Sequence, residues 1–358
     1  MADDTPTNLF AQQEANLRRS RWLVAGFVLF FAWLGFGGDW LAYEFTRAAP
    51  PREYHHLFPW FGLLLSAIGA GLAAWTWKTG PERVLWSAGA FEVLDPADPA
   101  QRQYVNVVEE MAIAAGLPRP RIWLIPDADP NALATGRDPA SAHIAVTEGL
   151  LRVCTRDELQ AVVAHELGHV KNFDVRLMTL LAGLVGAIAL VSDGVGRTIF
   201  RGGVRVGGGG GGGGSGGGGS RGGKRGGDLG PVVFVLLALW LISWILAPLI
   251  TRLLALGVSR KREYLADAMG AQFTRNPLAL ASALEKIERS EAPTTSIKGG
   301  AAHLCICDPL GRAASLREGR LADLLGTHPP MAMRVARLKA MGYQEQKRAG
   351  TFVVAGER

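Results

Sequence analysis

Apolar residues gather along this chain into four long runs separated by stretches of ordinary polarity. Residues 22–38 and 57–77 carry no charge and are bordered by Arg18, Arg19 and Arg21 on one side and Lys78 on the other. Each approaches the roughly 20 residues that a bilayer-spanning helix needs. The connector between them is short and polar and contains Pro50 and Pro51, so the pair is expected to form a helical hairpin over 22–78, with spans at about 22–44 and 57–77. Both ends of such a hairpin lie on one side, which the flanking basic residues mark as cytoplasmic. A third run, 177–192, closes at Asp193 and is short for a span; a fourth, 232–250, contains Trp240 and Trp244. About four spans follow, the last two expected within 177–196 and 231–257.

Between the hairpin and the third run the pattern turns to that of a water-facing domain. A helix is predicted over 103–115 and strands over 121–125, 132–135 and 142–147, separated by turn signals at Pro118, Pro120, Asp129-Pro130 and Asp138-Pro139. The chain therefore reads as mainly α with a small β-sheet. One soluble domain, formed by 90–176 and 258–345, is interrupted by membrane segments and preceded by a cytoplasmic stretch, 1–21. A tail, 346–358, follows it.

Residues 197–230 are dominated by glycine and cannot build a core. Three Arg-Gly-Gly triplets, at Arg201, Arg221 and Arg225, have no aromatic residue among them for base stacking, so nucleic acid is not an expected partner. Lys and Arg exceed Asp and Glu by 38 to 32, and many of the basic residues flank apolar runs, which favours lipid headgroups as the anionic partner. The three cysteines, Cys154, Cys305 and Cys307, offer no disulfide framework and suit a reducing compartment. The mostly polar N-terminus and the lack of a small-residue cleavage site after the first run read as a retained anchor, not a signal peptide.

Candidate chemistry begins at Thr155-Arg-Asp-Glu158, which has the form of a capping box and so predicts a helix start. Inside that helix lies His165-Glu-Leu-Gly-His169. The two histidines are one turn apart on one face and can converge on a metal, while Glu166 can reach a water beside it. Asp157, Glu158, Gln160, Lys171, Asn172 and Asp174 surround the motif, and so polar a helix belongs outside the bilayer. A third ligand is needed, and Glu263, one turn before Asp267, is the best candidate, although Arg260, Lys261 and Arg262 could equally make it a surface ion-pair partner. His303-Leu-Cys305-Ile-Cys307 alternates as a half-buried strand does, and is read as one in preference to a second metal site.

The order H-E-L-G-H, an apolar hairpin, Glu263-Tyr-Leu-Ala-Asp267 and Thr327-His-Pro-Pro330 resembles the HtpX-type membrane metalloproteases, relatives of the CAAX prenyl endopeptidase. Pro130-Asn-Ala-Leu-Ala-Thr-Gly136 is similar to that family's Asn-Ala-Phe-Ala-Thr-Gly stretch, with Leu133 in place of Phe. The likeness runs from about residue 8 to residue 340; the glycine-rich insert, Cys305 and Cys307 depart from it. The resemblance implies a zincin-like (gluzincin) fold and one zinc per chain, held by His165, His169 and Glu263. Glu166 would be the general base and Asp267 would orient a histidine, with pairing to Arg262 or Lys261 as its alternative reading. Asp174 could orient a histidine too, or form a helix-end salt bridge. His328 would stabilise the oxyanion, or simply cap the helix that follows. Arg334 would line the site, and Asn131, Ala132, Leu133 and Ala134 would form an edge strand that pairs with extended substrate. The expected activity is cleavage of unfolded or membrane proteins, at a bacterial plasma membrane crossed several times, with the active site facing the cytoplasm. His165 and Glu263 must then meet on one side, leaving the basic glycine loop on the other, against the positive-inside tendency.

Overall fold

The computed structural model describes residues 9–47, 50–96, 98–186, 260–290, 296–297, 302–307 and 329–348. They divide into two compact units: one holds the described residues of Met1–Ala25, Ala73–Val185 and Thr251–Arg358, the other those of Gly26–Leu72 and Gly186–Ile250. Two long helices, α1 (Leu9–Thr46) and α2 (Trp60–Ser87), contribute to both.

The first unit is built on a four-stranded sheet. β1 (Phe91–Glu92), β2 (Arg121–Ile125), β3 (Ala132–Thr135) and β4 (His143–Thr147) lie in the order β1-β2-β4-β3, with β2 and β4 parallel and the outer pairs antiparallel. The strands read as apolar runs because both faces are covered. Ile122, Leu124, Ile144 and Val146 pack among Val107, Val162 and Leu280, while Trp123, Ile125, Leu133 and Ala145 pack among Leu85, Met178 and Leu181. The helices over the first face are α3 (Pro99–Ala115), α5 (Arg156–Lys171) and α7 (Pro277–Arg289), while α4 (Glu148–Val153) follows β4 directly. α3 starts at Pro99 rather than at the predicted residue 103, because the Asp98 side chain accepts from the Gln101 amide and proline suits the first turn. It ends at Gly116, whose φ of 66° is left-handed. Two further helices, α6 (Arg260–Thr274) and α8 (Met331–Arg348), belong to this unit.

The third apolar run begins as core. Residues 174–186 are helical, and Leu177, Met178, Leu181 and Leu184 are buried. The rest of that run, the glycine-rich segment and the fourth run lie outside the described residues. In the second unit α1 and α2 approach closely: a Cβ at Gly35 would stand 2.5 Å from the Phe61 carbonyl oxygen. Asp39 of α1 accepts hydrogen bonds from the Phe61 amide (3.0 Å) and the Gly62 amide at the start of α2, and lies 2.7 Å from His56 Nε2. α1 and α2 are long and apolar enough to cross a membrane. Leu29, Trp33, Phe36, Leu63 and Leu64 are exposed along them, a surface suited to hydrocarbon.

One buried histidine gives the first unit an acid-sensitive point. The Trp123 indole N–H donates to His143 Nδ1 at 3.0 Å, which requires that nitrogen to be unprotonated. Burial, with the Arg121 guanidinium adding to it, pushes the imidazole down from 6.5 to about 4. The unfolded chain therefore takes up the proton first, and stability should fall as pH drops from about 6.5 to about 4, by up to about 3 kcal/mol. His143→Asn, which keeps an acceptor for Trp123 but does not titrate, should flatten that slope in urea unfolding of the solubilised protein between pH 4 and 7; an unchanged slope would assign the acid sensitivity elsewhere.

Candidate active site

The capping box seen in the sequence closes at both ends. The Glu158 amide donates to Thr155 Oγ1 (3.3 Å) and the Thr155 amide to Glu158 Oε2 (2.7 Å). Lys286 Nζ and Ser282 Oγ of α7 each reach the same carboxylate at 2.6 Å. With its start held this way, α5 carries His165, Glu166 and His169 into the interior, where all three are buried. The two imidazoles stand edge to face with centroids 4.8 Å apart.

α6 crosses α5 at two glycines. A Cβ on Gly168 would lie 3.2 Å from Ala266 Cα, and one on Gly270 would lie 3.1 Å from the His165 amide nitrogen. That close approach brings Glu263 and Asp267 to the histidines. Glu263 Oε2 is 3.8 Å from His165 Nε2, and Glu263 Oε1 is 3.5 Å from His169 Nε2. On the far side of each ring stands another carboxylate: Asp267 Oδ1 is 2.9 Å from His165 Nδ1, and Asp174 Oδ2 is 3.3 Å from His169 Nδ1. Each ring thus has a carboxylate beside its Nδ1 and its Nε2 facing Glu263, the arrangement a metal-binding imidazole uses.

Among the described residues, His165, His169 and Glu263 form the one group with the donors to hold a metal ion, with ligand atoms within 4.8 Å of one another. Two donors about 2.0–2.2 Å from a tetrahedral zinc ion lie roughly 3.3–3.6 Å apart. The observed 3.5 and 3.8 Å are close to that separation. The charge balance suits a cation as well. Burial alone would lower His169, but Asp174, Glu263 and Glu166 outweigh it and lift the imidazole to about 9. The same surplus of negative charge stabilises a divalent ion. Burial lowers His165 and raises Glu166, the latter to about 8, with the Glu263 charge adding to the rise and His169 and Arg334 opposing it.

Arg334 of α8, which the resemblance places along the site, has its Nη2 3.4 Å from His165 Nε2. It is fully buried and forks onto Asp267, Nε to Oδ2 at 2.9 Å and Nη2 to Oδ1 at 2.7 Å. Nη1 donates to the Ile306 carbonyl at 2.9 Å and stands 3.4 Å from Glu263 Oε2. The preference of a fork for a carboxylate explains this: in a buried site the arginine is held where both nitrogens are matched. β3 is the sheet edge, as expected, and the Ala134 amide hydrogen-bonds to the Glu166 carboxylate. Its outer side is already engaged, however. The Ile306 amide donates to the Ala132 carbonyl at 2.9 Å, Cys305 bridges Leu133, and Asn131 Nδ2 donates to the Cys307 carbonyl at 3.0 Å. His328 lies outside the described residues; α8 begins three residues later, at Met331.

Reasoning from sequence missed one participant. Asn16, on α1 before the first apolar run, is buried and donates to Asp174 Oδ1 at 2.7 Å. Its one trace in the sequence is that Asn16 and Ser20 fall on the same helix face.

A profile described as Peptidase family M48 matches residues 99–342, the stretch that carries His165, His169 and Glu263. The chain belongs to peptidase family M48. A "Protease HtpX homolog" of Tropheryma whipplei (strain Twist) is 38% identical over 284 residues, 79% of this chain and 87% of that one. Another of the same description, from Lactobacillus helveticus (strain DPC 4571), is 33% identical over 334 residues, covering 93% of this chain and 100% of its own. Among solved structures, the crystal structure of S. mikatae Ste24p matches with a TM-score of 0.40 and 17% identity over 88% of this chain and 66% of that one. As an M48 member with two membrane-capable helices, the chain is a membrane-associated metalloprotease, and its substrates are proteins.

Proposed function

We propose that this M48 protease is a zinc-dependent endopeptidase of the gluzincin type that cleaves unfolded or membrane proteins at a bacterial plasma membrane. The observation that carries the reading is the convergence of His165, His169 and Glu263, drawn from two separate helices, with a carboxylate behind each imidazole. These three residues hold one zinc ion. Bound there, zinc supplies Lewis-acid activation of water and of the scissile carbonyl. Glu166 takes the proton of the attacking water and returns it to the leaving amine, a role open to a carboxylate carried on α5 between the two histidines. Asp267 keeps His165 in one tautomer, and Arg334 keeps Asp267 in place. His328 donates to the oxyanion, on the strength of the resemblance alone.

Residues Asn131, Ala132, Leu133 and Ala134 pair with extended substrate, which must then compete with Cys305–Cys307 for the same edge. The domain limits at 90–176 and 258–345 and about four spans, with the active site on the cytoplasmic side, belong to the same proposal. Its support is the basic residues beside the hairpin and the polarity around the motif.

Zinc analysis of the purified chain tests the reading. Wild type should hold about one zinc ion, and Glu263→Ala or a strong chelator should remove both the metal and cleavage of an unstructured protein, with zinc restoring activity only to wild type. Full zinc retention by Glu263→Ala would overturn the ligand set. Cleavage of a prenylated peptide but not of unfolded protein would instead assign a prenyl-protein peptidase.

A further inference from the structure

The first turns of α1 precede the apolar run, and their polar residues do not all face water. Asn16 and Ser20 are buried, and Gln13 lies one turn before them. Burying an amide is costly unless its hydrogen bonds are made, and here they are made to the end of α5. Gln13 Nε2 donates to the Lys171 carbonyl at 2.8 Å, and Asn16 Nδ2 to the Asn172 carbonyl at 3.0 Å. Carbonyls at a helix C-terminus have no partner within the helix, so these contacts have an evident structural value. Asn16 goes further. The chain reverses at Asn172 and at Phe173, whose φ of 57° is left-handed, and returns Asp174 beneath His169. Asn16 Nδ2 then also donates to Asp174 Oδ1 at 2.7 Å.

We infer that Asn16 is a positioning residue of the metal site, acting through Asp174 on His169. The Asp174 carboxylate is tied at both oxygens. Oδ2 faces His169 Nδ1 at 3.3 Å and accepts from Asn172 Nδ2 at 3.0 Å; Oδ1 accepts from Asn16 and faces Arg262 Nη1 at 3.7 Å. Removing the Asn16 amide takes from Oδ1 its one close donor and leaves Asn172 alone to orient the carboxylate, so the imidazole it faces is held less firmly. Asn16 lies outside residues 99–342, so the helix that carries the first membrane-capable stretch supplies part of a site otherwise built within the family domain. Coupling of this kind is reciprocal: metal bound by His169 tightens the docking of residues 9–20, and that docking tightens the metal. The inference rests on His169 being a ligand, as proposed above.

The test uses the full chain in detergent micelles or nanodiscs, with zinc affinity read by chelator competition. Asn16→Ala should weaken zinc binding about tenfold, the lower end of the range for residues that support a ligand. Gln13→Ala, which loses the neighbouring bond to α5 but does not touch Asp174, should stay within about twofold of wild type. Asp174→Asn should match Asn16→Ala, and the double variant should bind no more weakly than Asp174→Asn alone. Unchanged affinity in Asn16→Ala, equal losses in Asn16→Ala and Gln13→Ala, or additive losses in the double variant would each overturn the inference. Should Asn16→Ala fail to fold, amide hydrogen exchange of wild type decides: zinc must slow exchange over residues 10–20, and no slowing refutes the coupling. His169→Ala serves as the separate control, because zinc retention there would discard the ligand set itself.

Discussion

Glu166→Gln should abolish peptide cleavage, by about 10²- to 10⁴-fold or more, while leaving zinc binding at the wild-type level. The side chains are isosteric, and Glu166 is not one of the three donors that converge on the metal position, so the fold and the ligands are undisturbed. What is lost is the capacity to take a proton. Glu166 is 2% exposed and receives the Ala134 amide, so no other orientation of the side chain or bulk buffer can easily take over. Burial also raises its proton affinity above that of an ordinary carboxylate. Steady-state cleavage of an unstructured protein, alongside zinc content of the same preparation, measures the effect; substantial activity in a zinc-loaded Glu166→Gln protein would remove Glu166 from the mechanism.

Much of this site could be read before any coordinates, because its strongest signals are local. The pair at Thr155 and Glu158, the one-turn spacing of His165 and His169, and that of Glu263 and Asp267 are properties of single helices, and local periodicity reports them. The strands at 121–125 and 132–135 were equally legible, each being a short apolar run between turn residues. Contacts between distant segments were not. Nothing in the spacing of Asp267 and Arg334 says that they meet in a buried fork; only the family resemblance brought Arg334 to the site at all. Asn16 was hidden for a different reason: polar residues ahead of a membrane run look like a solvated flank, and the sequence gives no sign that α1 continues unbroken from Leu9 through the apolar run. The edge of β3 is a third case. Its sequence predicts a strand and the resemblance an edge strand, but whether an edge is open depends on what the rest of the chain lays beside it, here Cys305 and Ile306.

Arg334→Met should lower stability by about 3–5 kcal/mol and weaken zinc binding along with it, because the change leaves Asp267 as a buried, uncompensated carboxylate. Arg334 and the guanidinium-held Asp267 are both almost wholly excluded from water, and Arg334 first among the nearby charges keeps Asp267 ionised below the usual carboxylate range against its burial. Without the arginine, Asp267 must take up a proton or turn toward another donor, and either response alters its contact with His165. Lysine should not substitute fully. A single ammonium retains the charge but cannot meet Oδ2, Oδ1 and the Ile306 carbonyl together, as the three guanidinium nitrogens do. The double variant Arg334→Met with Asp267→Asn should regain part of the stability, since Asp267 is then no longer a lone buried charge, but not the metal affinity, since His165 keeps only a neutral acceptor. Denaturant unfolding and chelator competition on the same solubilised proteins separate the two effects. Were Arg334→Met as stable as wild type and as well loaded with zinc, and defective only in KM, the arginine would take the substrate-contact role that the resemblance implies.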